Sequence, residues 1–293
     1  MTDISIITAS YNYENYIKET IESVQNQTIK DWEMIIVDDG SKDNSVDVIK
    51  SYCNKDPRIK LFQHENGQNR GLAETVKLGI KEAQGKWIIF LESDDTITPD
   101  YIEKKLEIIK KYPEIDVIFN GINMFGEKET IDEQIPYFEK QKRILDKIKF
   151  PSSLKKAYQK TYINLIPTFS CVMAKKEIFK NIDYESPIKK CLDLYIWLQL
   201  ARDCIMYYTD EKLTNWRMHK ASYINSKMAS PEEFFAFNYK RIVFLHTKWA
   251  IFKIFYHYFN AYRKQLIQIH LTKGRREIVL FGKKFDFNKG KNN

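Results

Sequence analysis

Two apolar runs in this chain each deliver a group of acids. Met34-Ile35-Ile36-Val37 leads into Asp38-Asp39-Gly40-Ser41, and Trp87-Ile88-Ile89-Phe90-Leu91 leads into Glu92-Ser93-Asp94-Asp95. A short β-rich run, bounded by turn residues and set among helical stretches, reads as a buried parallel strand. Ligands of such sheets bind outside the carboxyl ends of the strands. The chain therefore carries carboxylates twice to the edge where chemistry takes place. Carboxylates without a compensating basic loop point to a divalent cation, and a cation points to phosphates. Aspartate is also common in turns after strands, so a single pair would more often be a turn than a site. Two pairs on one edge favour the site.

The means of holding phosphates is narrowed by what the chain lacks. It has ten glycines, with no Gly-x-Gly-x-x-Gly and no Gly-x-x-x-x-Gly-Lys-Ser/Thr. The glycine-rich backbone cradles of the Rossmann and P-loop types are therefore excluded. A metal held by Asp95 and bridging two phosphates is the natural substitute.

The elements that must position these acids alternate through the first 120 residues or so. Strands are predicted at 4–9, 33–37, 59–62, 87–91 and 117–120, and helices at 16–27, 43–52, 72–83 and from Thr98 to Tyr112. Repeated strand–helix–strand units imply an α/β fold, a mostly parallel sheet with helices on both faces. Residues 122–165 lose the pattern and read as an excursion or lid. Order returns with a strand at 170–174, a short helix at 176–181, a helix at 192–202 and short strands at 205–208 and 213–218. From Pro231 to about Tyr262 the chain is dense in aromatics with interleaved basic residues, which predicts an amphipathic helix.

Composition sets the remaining bounds. The 293 residues are 43% hydrophobic and 29% charged, ordinary values for a globular chain that can bury a sizeable core. The N-terminus runs directly into a strand pattern, so no signal peptide is expected, and no run of ~18 apolar residues predicts a spanning helix. Cys53, Cys171, Cys191 and Cys204 are scattered without a Cys-x-x-Cys pair. Buried free thiols in a reducing cytoplasm are expected rather than zinc or disulfides. The net charge of +8 is uneven, because residues 263–293 hold nine Lys or Arg against Glu277 and Asp286. Such a tail suits an anionic partner, and a membrane surface is one candidate. The nearly neutral remainder and the absence of a recognition motif argue against nucleic acid.

Taken together, Ile4 to Asn12 with Tyr16-Ile17, Val37-Asp38-Asp39-Gly40-Ser41, Asn69-Arg70-Gly71-Leu72-Ala73 and Ser93-Asp94-Asp95 resemble the family 2 glycosyltransferases, with the GT-A fold. The resemblance is strong over 3–121 and weaker over 168–223. It implies that Ala9 and Tyr11 line the nucleotide base, that Asp39 accepts from a uracil N–H, and that Arg70 lies near the nucleotide. By the same resemblance Asp94 contacts the ribose or the surroundings of the metal, and Asp95 coordinates Mn²⁺ or Mg²⁺. Glu92 replaces the usual Asp, Ala9 replaces a common proline, and Lys77 takes a position often held by Asn.

The helix Leu192-Asp193-Leu194-Tyr195-Ile196-Trp197-Leu198-Gln199 resembles the family's Glu-Asp segment, with Leu192 in place of Glu, and makes Asp193 the catalytic base. An acid opening an apolar helix would otherwise be a partner of the helix dipole. Arg217-Met218-His219 resembles a late Arg-x-His segment whose His reaches metal or pyrophosphate. The implied protein is an inverting, metal-dependent transferase that moves a sugar from a UDP-sugar to a hydroxyl of a glycan or lipid-linked acceptor. Such work belongs to surface polysaccharide or glycolipid synthesis in the cytoplasm, at the inner face of a bacterial plasma membrane. The expected domains are 1–225 (nucleotide-binding half 1–121, acceptor and catalytic half 122–225) and a helical, basic extension 226–293. A non-catalytic nucleotide- or glycan-binding GT-A module is the alternative.

Overall fold

The computed structural model describes residues 3–161, 163–219, 230–245, 267–272, 275–280 and 283–287. The chain divides into two compact units, Met1–Lys227 and Met228–Asn293.

In the first unit, β1 (Ile4–Ser10), β2 (Glu33–Asp38), β3 (Ile59–Gln63) and β4 (Trp87–Phe90) form one sheet with β5 (Thr96–Ile97), β6 (Val117–Gly126), β7 (Val172–Lys175) and β8 (Met206–Met218). The strand order is β3-β2-β1-β4-β7-β6-β8-β5. Strands β3, β2, β1 and β4 are mutually parallel, and β7 runs antiparallel between β4 and β6. The fold is the predicted α/β arrangement with a mostly parallel sheet.

The parallel strands are apolar on both faces because helices cover both. Ile4 and Ile6 of β1, with Met34 and Ile36 of β2, pack with Ile17, Ile21 and Val24 of α1 (Ile17–Gln25), Ile49 of α2 (Ser45–Cys53) and Tyr101 and Ile102 of α4 (Tyr101–Lys111). The alternate residues Ile7 and Val37 face α3 (Leu72–Glu82). There the approach is close enough to require Gly79, since a Cβ would lie 2.4 Å from Ile7 Cγ2.

Two stretches differ from the predicted pattern. The segment expected at 122–165 contains α5 (Lys128–Leu145) and α6 (Lys155–Lys160). Its polar surface and Pro136 mask a helix whose buried positions are Thr130, Gln141 and Leu145. The two short strands expected at 205–208 and 213–218 are the single strand β8. Its pairing with β6 runs from Asn120↔Thr209 to Gly121↔Lys212, so Asp210 and Glu211 bulge out. Gly121 makes room for them, as a Cβ there would lie 2.8 Å from the Asp210 carbonyl.

The α7 helix (Leu192–Asp203) is buried on nearly all sides, through Leu192, Tyr195, Ile196, Trp197, Leu198, Leu200 and Ala201. Trp197 lies 5.4 Å from the Phe169 ring and 6.4 Å from the Phe90 ring, and Phe90 lies 5.4 Å from Phe179. This aromatic cluster ties α7 to β4, the strand that leads into Glu92.

In the second unit, α8 spans Pro231–Leu245 and is followed by an antiparallel meander, β9 (Ile267–Thr272), β10 (Arg275–Leu280) and β11 (Lys283–Phe287). Helix is thus confirmed for 231–245, while residues 246–262 of the expected helix lie outside the described residues. The expected helical extension thus begins with α8, and these three strands lie beyond it. Ile267-Gln268-Ile269-His270-Leu271 alternates with period two, and Lys273-Gly274 separates it from the next strand. Cys171 and Cys204 are buried, and Cys53 and Cys191 are half-buried. No helix of the described residues is long and apolar enough to cross a membrane.

Trp197 generates a stability prediction. Its indole Nε1 is buried without an acceptor. Trp197→Ala should cost about 3–5 kcal/mol in urea unfolding, the range for deleting a buried aromatic. Trp197→Phe should cost much less, because it also removes an unpaired buried donor.

Candidate active site

Topology brings the two acidic turns together. β2 and β4 lie on either side of β1, all three parallel, so residues 38–41 and 92–95 emerge at one edge beside residues 9–13. Hydrogen bonds stitch the three turns. The Asp39 amide donates to the Ser10 carbonyl at 2.8 Å, and the Ser93 hydroxyl donates to the Ala9 carbonyl. Ala9 is half-buried at the end of β1, and Tyr11 beyond it is 43% exposed, with its ring available at the edge.

The first acid pair divides its labour. Asp38 is structural: its Oδ2 accepts from the Gly40 and Ser41 amides at 3.1 Å, and its Oδ1 accepts from the Ser41 hydroxyl. Gly40 sits at φ +80°, and a Cβ there would lie 2.6 Å from the Gly67 carbonyl, so this turn requires glycine. Asp39 accepts from the Arg70 amide at 2.7 Å and from the Gly71 amide at 2.9 Å. It thereby pins the Asn69-Arg70-Gly71 segment against the end of β2. The Arg70 side chain is 45% exposed and only loosely paired with Glu65, at 3.9 Å.

The second acid group is the electrostatic centre. Asp95 is fully buried, with Oδ2 accepting from the Ser170 hydroxyl at 2.6 Å and Oδ1 from the Arg217 amide at 2.9 Å. Both oxygens are therefore engaged inside the protein, and burial, with the charges of Asp94 and Glu92, drives its pKa well above the ordinary value. Asp95, the expected metal ligand, is thus held on both oxygens by the protein. Its neighbour Asp94 meets a histidine. Its Oδ2 lies 3.0 Å from His219 Nε2, both residues being nearly buried. Glu92 accepts from the Thr168 hydroxyl, and burial, followed by the Asp94 charge, pushes its carboxyl up to about 8. Asp193, in the first turn of α7, is partly buried and also raises Glu92 through its charge. Burial raises Asp193 itself to about 6, against the opposing hydrogen bonds of the Leu194 amide and the Asn164 side chain.

Several contributors were not visible in the sequence reading. Arg217 staples the site from behind. Its Nε donates to the Asp94 carbonyl at 2.8 Å, its Nη2 pairs with Glu19, and its guanidinium lies between the rings of Tyr16 (5.0 Å) and Phe125 (4.4 Å). The Tyr16 ring also packs on His219, 5.0 Å between centroids. Tyr13 faces the acids, and burial followed by the charges of Asp94, Glu92 and Asp95 strengthens its hold on its phenolic proton. The repeated tyrosines of Tyr11-Asn12-Tyr13-Glu14-Asn15-Tyr16 were the available signal for these. For Thr168 and Ser170, which precede β7 and reach the acids only through the tertiary fold, there was none.

The donor set fits a divalent cation. An imidazole nitrogen and a carboxylate oxygen converge within hydrogen-bonding distance, among acids whose mutual repulsion raises their proton affinities. Among the described residues no group of three or more His, Cys, Asp or Glu is arranged to hold a metal ion. A cation here would need further ligands from substrate phosphates or water.

Comparison with known proteins agrees with this geometry. Residues 5–183 match the family described as glycosyl transferase family 2. A Bacillus subtilis glycosyltransferase, TuaG, assigned to teichuronic acid biosynthesis, is 31% identical over 265 residues, covering 90% of this chain and 97% of TuaG. A glycosyltransferase of Methanocaldococcus jannaschii is 30% identical over 218 residues, covering 73% of this chain and 70% of the relative. The fold is similar to that of residues 1–349 of Staphylococcus aureus TarS, solved with UDP-GlcNAc, at a TM-score of 0.61, 19% identity, and coverage of 89% and 72% of the two chains. It is also similar to the mannosyltransferase PcManGT of Pyrobaculum calidifontis, solved with GDP-Man and Mn²⁺, at a TM-score of 0.53, 13% identity, and coverage of 89% and 75%. The two clustered acidic turns, the GT-A-like sheet that joins them and these matches make the chain a glycosyltransferase of family 2.

Proposed function

We propose that this glycosyltransferase is an inverting enzyme that uses a UDP-sugar, a divalent cation held by Asp94 and His219, and Asp193 as general base. The observation that carries the reading is the Asp94–His219 pair at 3.0 Å within a group of acids that includes Glu92 and Asp193. TarS, solved with UDP and with UDP-GlcNAc, supports the donor class, and PcManGT, solved with Mn²⁺, supports the cation. Residues 1–121 then form the donor half, 122–225 the acceptor and catalytic half, and 226–293 an extension.

In this mechanism Tyr11 stacks on the base and Ala9 leaves room for it at the end of β1. Asp39, already holding the Arg70 and Gly71 amides, reads the uracil N–H. Arg70 swings its exposed guanidinium toward the phosphates. When bound, Mn²⁺ or Mg²⁺ supplies Lewis-acid neutralisation of the diphosphate leaving group. Asp193 removes the proton from an acceptor hydroxyl as that oxygen attacks the anomeric carbon from the face opposite the diphosphate. A carboxylate raised to about 6 remains ionised at neutral pH and is a stronger base than an ordinary aspartate. Asp95, held by the Ser170 hydroxyl and the Arg217 amide, would buttress the site from behind.

The acceptor is a hydroxyl of a glycan or a lipid-linked intermediate in surface polysaccharide synthesis. The teichuronic acid assignment of TuaG supports this class. The basic residues between 263 and 293 suit attachment to the anionic inner face of a membrane. Removing residues 263–293 should weaken co-sedimentation with vesicles containing phosphatidylglycerol, and equal sedimentation would exclude this attachment.

Turnover of Asp193→Asn should fall by at least about tenfold, because a general base contributes ~10²–10⁴-fold, while UDP affinity stays close to wild type. The wild-type pH profile of kcat/KM should lose activity as pH falls through about 6, where the base takes up its proton, rather than near the ordinary carboxylate value. Asp94→Ala should abolish the difference between UDP binding with Mn²⁺ and with EDTA in calorimetry. Asp95→Asn should keep that difference but lower the melting temperature. Loss of the difference in Asp95→Asn alone would return the metal to Asp95.

A further inference from the structure

We propose that Asn164 is a positioning residue for the base: its side-chain amide fixes the Asp193 carboxylate, and α5 and α6 exist in part to hold Asn164. This inference rests on the reading of Asp193 as the base, and it assigns a task to the segment 122–165, which matched no motif.

The geometry is unusually complete. Asn164 Nδ2 donates to Asp193 Oδ2 at 2.8 Å. Every other polar group of Asn164 is also used. Its backbone N–H donates to the Tyr137 hydroxyl at 2.8 Å, and its carbonyl accepts from Gln141 Nε2 at 2.7 Å, both partners being on α5. Its Oδ1 accepts from the Ile166 amide at 3.2 Å and from the Tyr158 hydroxyl of α6 at 3.3 Å. The Ile166 amide can only donate, so it fixes which end of the side chain is oxygen and leaves the NH₂ facing Asp193. Tyr158 is fully buried and Gln141 is 4% exposed, so the frame is anchored in the interior.

The choice of residue also has a chemical reason. A Lys or Arg in this place would hold the carboxylate but would lower its pKa and weaken it as a base. A neutral amide fixes direction at a smaller cost in proton affinity. The titratable groups around Asp193 are Glu92 from the end of β4 and Tyr137 from α5, with Cys191 beside Tyr137. None of these supplies a positive charge. An aspartate in an apolar helix turn would otherwise sample several rotamers. A displacement of about 1 Å in a reacting group can cost roughly 10²-fold.

The test uses the full chain, with ¹³C-carboxyl-labelled aspartate followed by NMR through a pH titration. The resonance missing from Asp193→Asn identifies the base, and its wild-type midpoint should lie near about 6. In Asn164→Ala the midpoint should rise, because a hydrogen bond to the charged form is lost. In the isosteric Asn164→Asp it should rise further, because a like charge is introduced. UDP release from UDP-GlcNAc, with water as acceptor, should fall roughly 10–10²-fold in Asn164→Ala. UDP affinity by calorimetry should stay within about twofold, a separation that general unfolding would not produce. An unchanged midpoint in both Asn164 variants overturns the positioning role even if Asp193→Asn is inactive. Wild-type UDP release by Asp193→Asn instead overturns the base reading, and with it any role of Asn164 in turnover.

Discussion

Crowding of like charge at the end of β4 is the constraint on which the rest of the site depends. Glu92, Asp94 and Asp95 follow one another within four positions, and Asp193 reaches the same region from α7. Burial and the charges of neighbouring acids raise Glu92 and Asp95, and burial raises Asp193. Groups raised in the folded state favour folding while protonated. That contribution is complete below the ordinary carboxylate range and is lost as pH rises through the folded values, about 6 for Asp193. At neutral pH Glu92 keeps its proton, up to about 8, while Asp193 is ionised at a cost to stability.

The scaffold meets this strain by giving neighbouring acids different environments. Asp95 turns inward to the Ser170 hydroxyl and the Arg217 amide, Glu92 meets Thr168, and Asp94 meets His219. Three acids within four positions thus point to separate partners, from the segment before β7 and from the end of β8. Arg217 is the main tie among them, because one side chain joins the Asp94 carbonyl, Glu19 of α1 and two aromatic rings. Its charge, bonded to the Asp94 carbonyl and the Glu19 carboxylate rather than to the carboxylates of Glu92, Asp94 or Asp95, softens the field without occupying the front of the site.

The donor half was legible because its signals are local. Strands of period-independent apolar character, helices between them and acids at strand ends all lie within runs of a dozen residues. Parallel topology then leaves little freedom in where those ends meet. The distinction between Asp94 and Asp95 was not legible. Adjacent aspartates are equivalent in a sequence, and only the arrival of Ser170 and Arg217, far along the chain, consumes one of them. The bulged strand β8 was read as two because Asp210 and Glu211 interrupt its alternation. The meander β9–β11 was obscured by the aromatic helix pattern that precedes it.

The least legible part was α5 with its surroundings, and the reason is physical. A helix that packs through Thr130, Gln141 and Leu145, and contains Pro136, has no apolar stripe to announce it. It is held by hydrogen bonds to Asn164 as much as by burial. Such contacts leave no periodic trace, because each needs only one correctly placed polar atom. The first half of the fold is therefore fixed by patterns many sequences can share, whereas the placement of α5 against Asn164 depends on single polar residues. Exchanging one such polar contact redirects a side chain without disturbing the sheet.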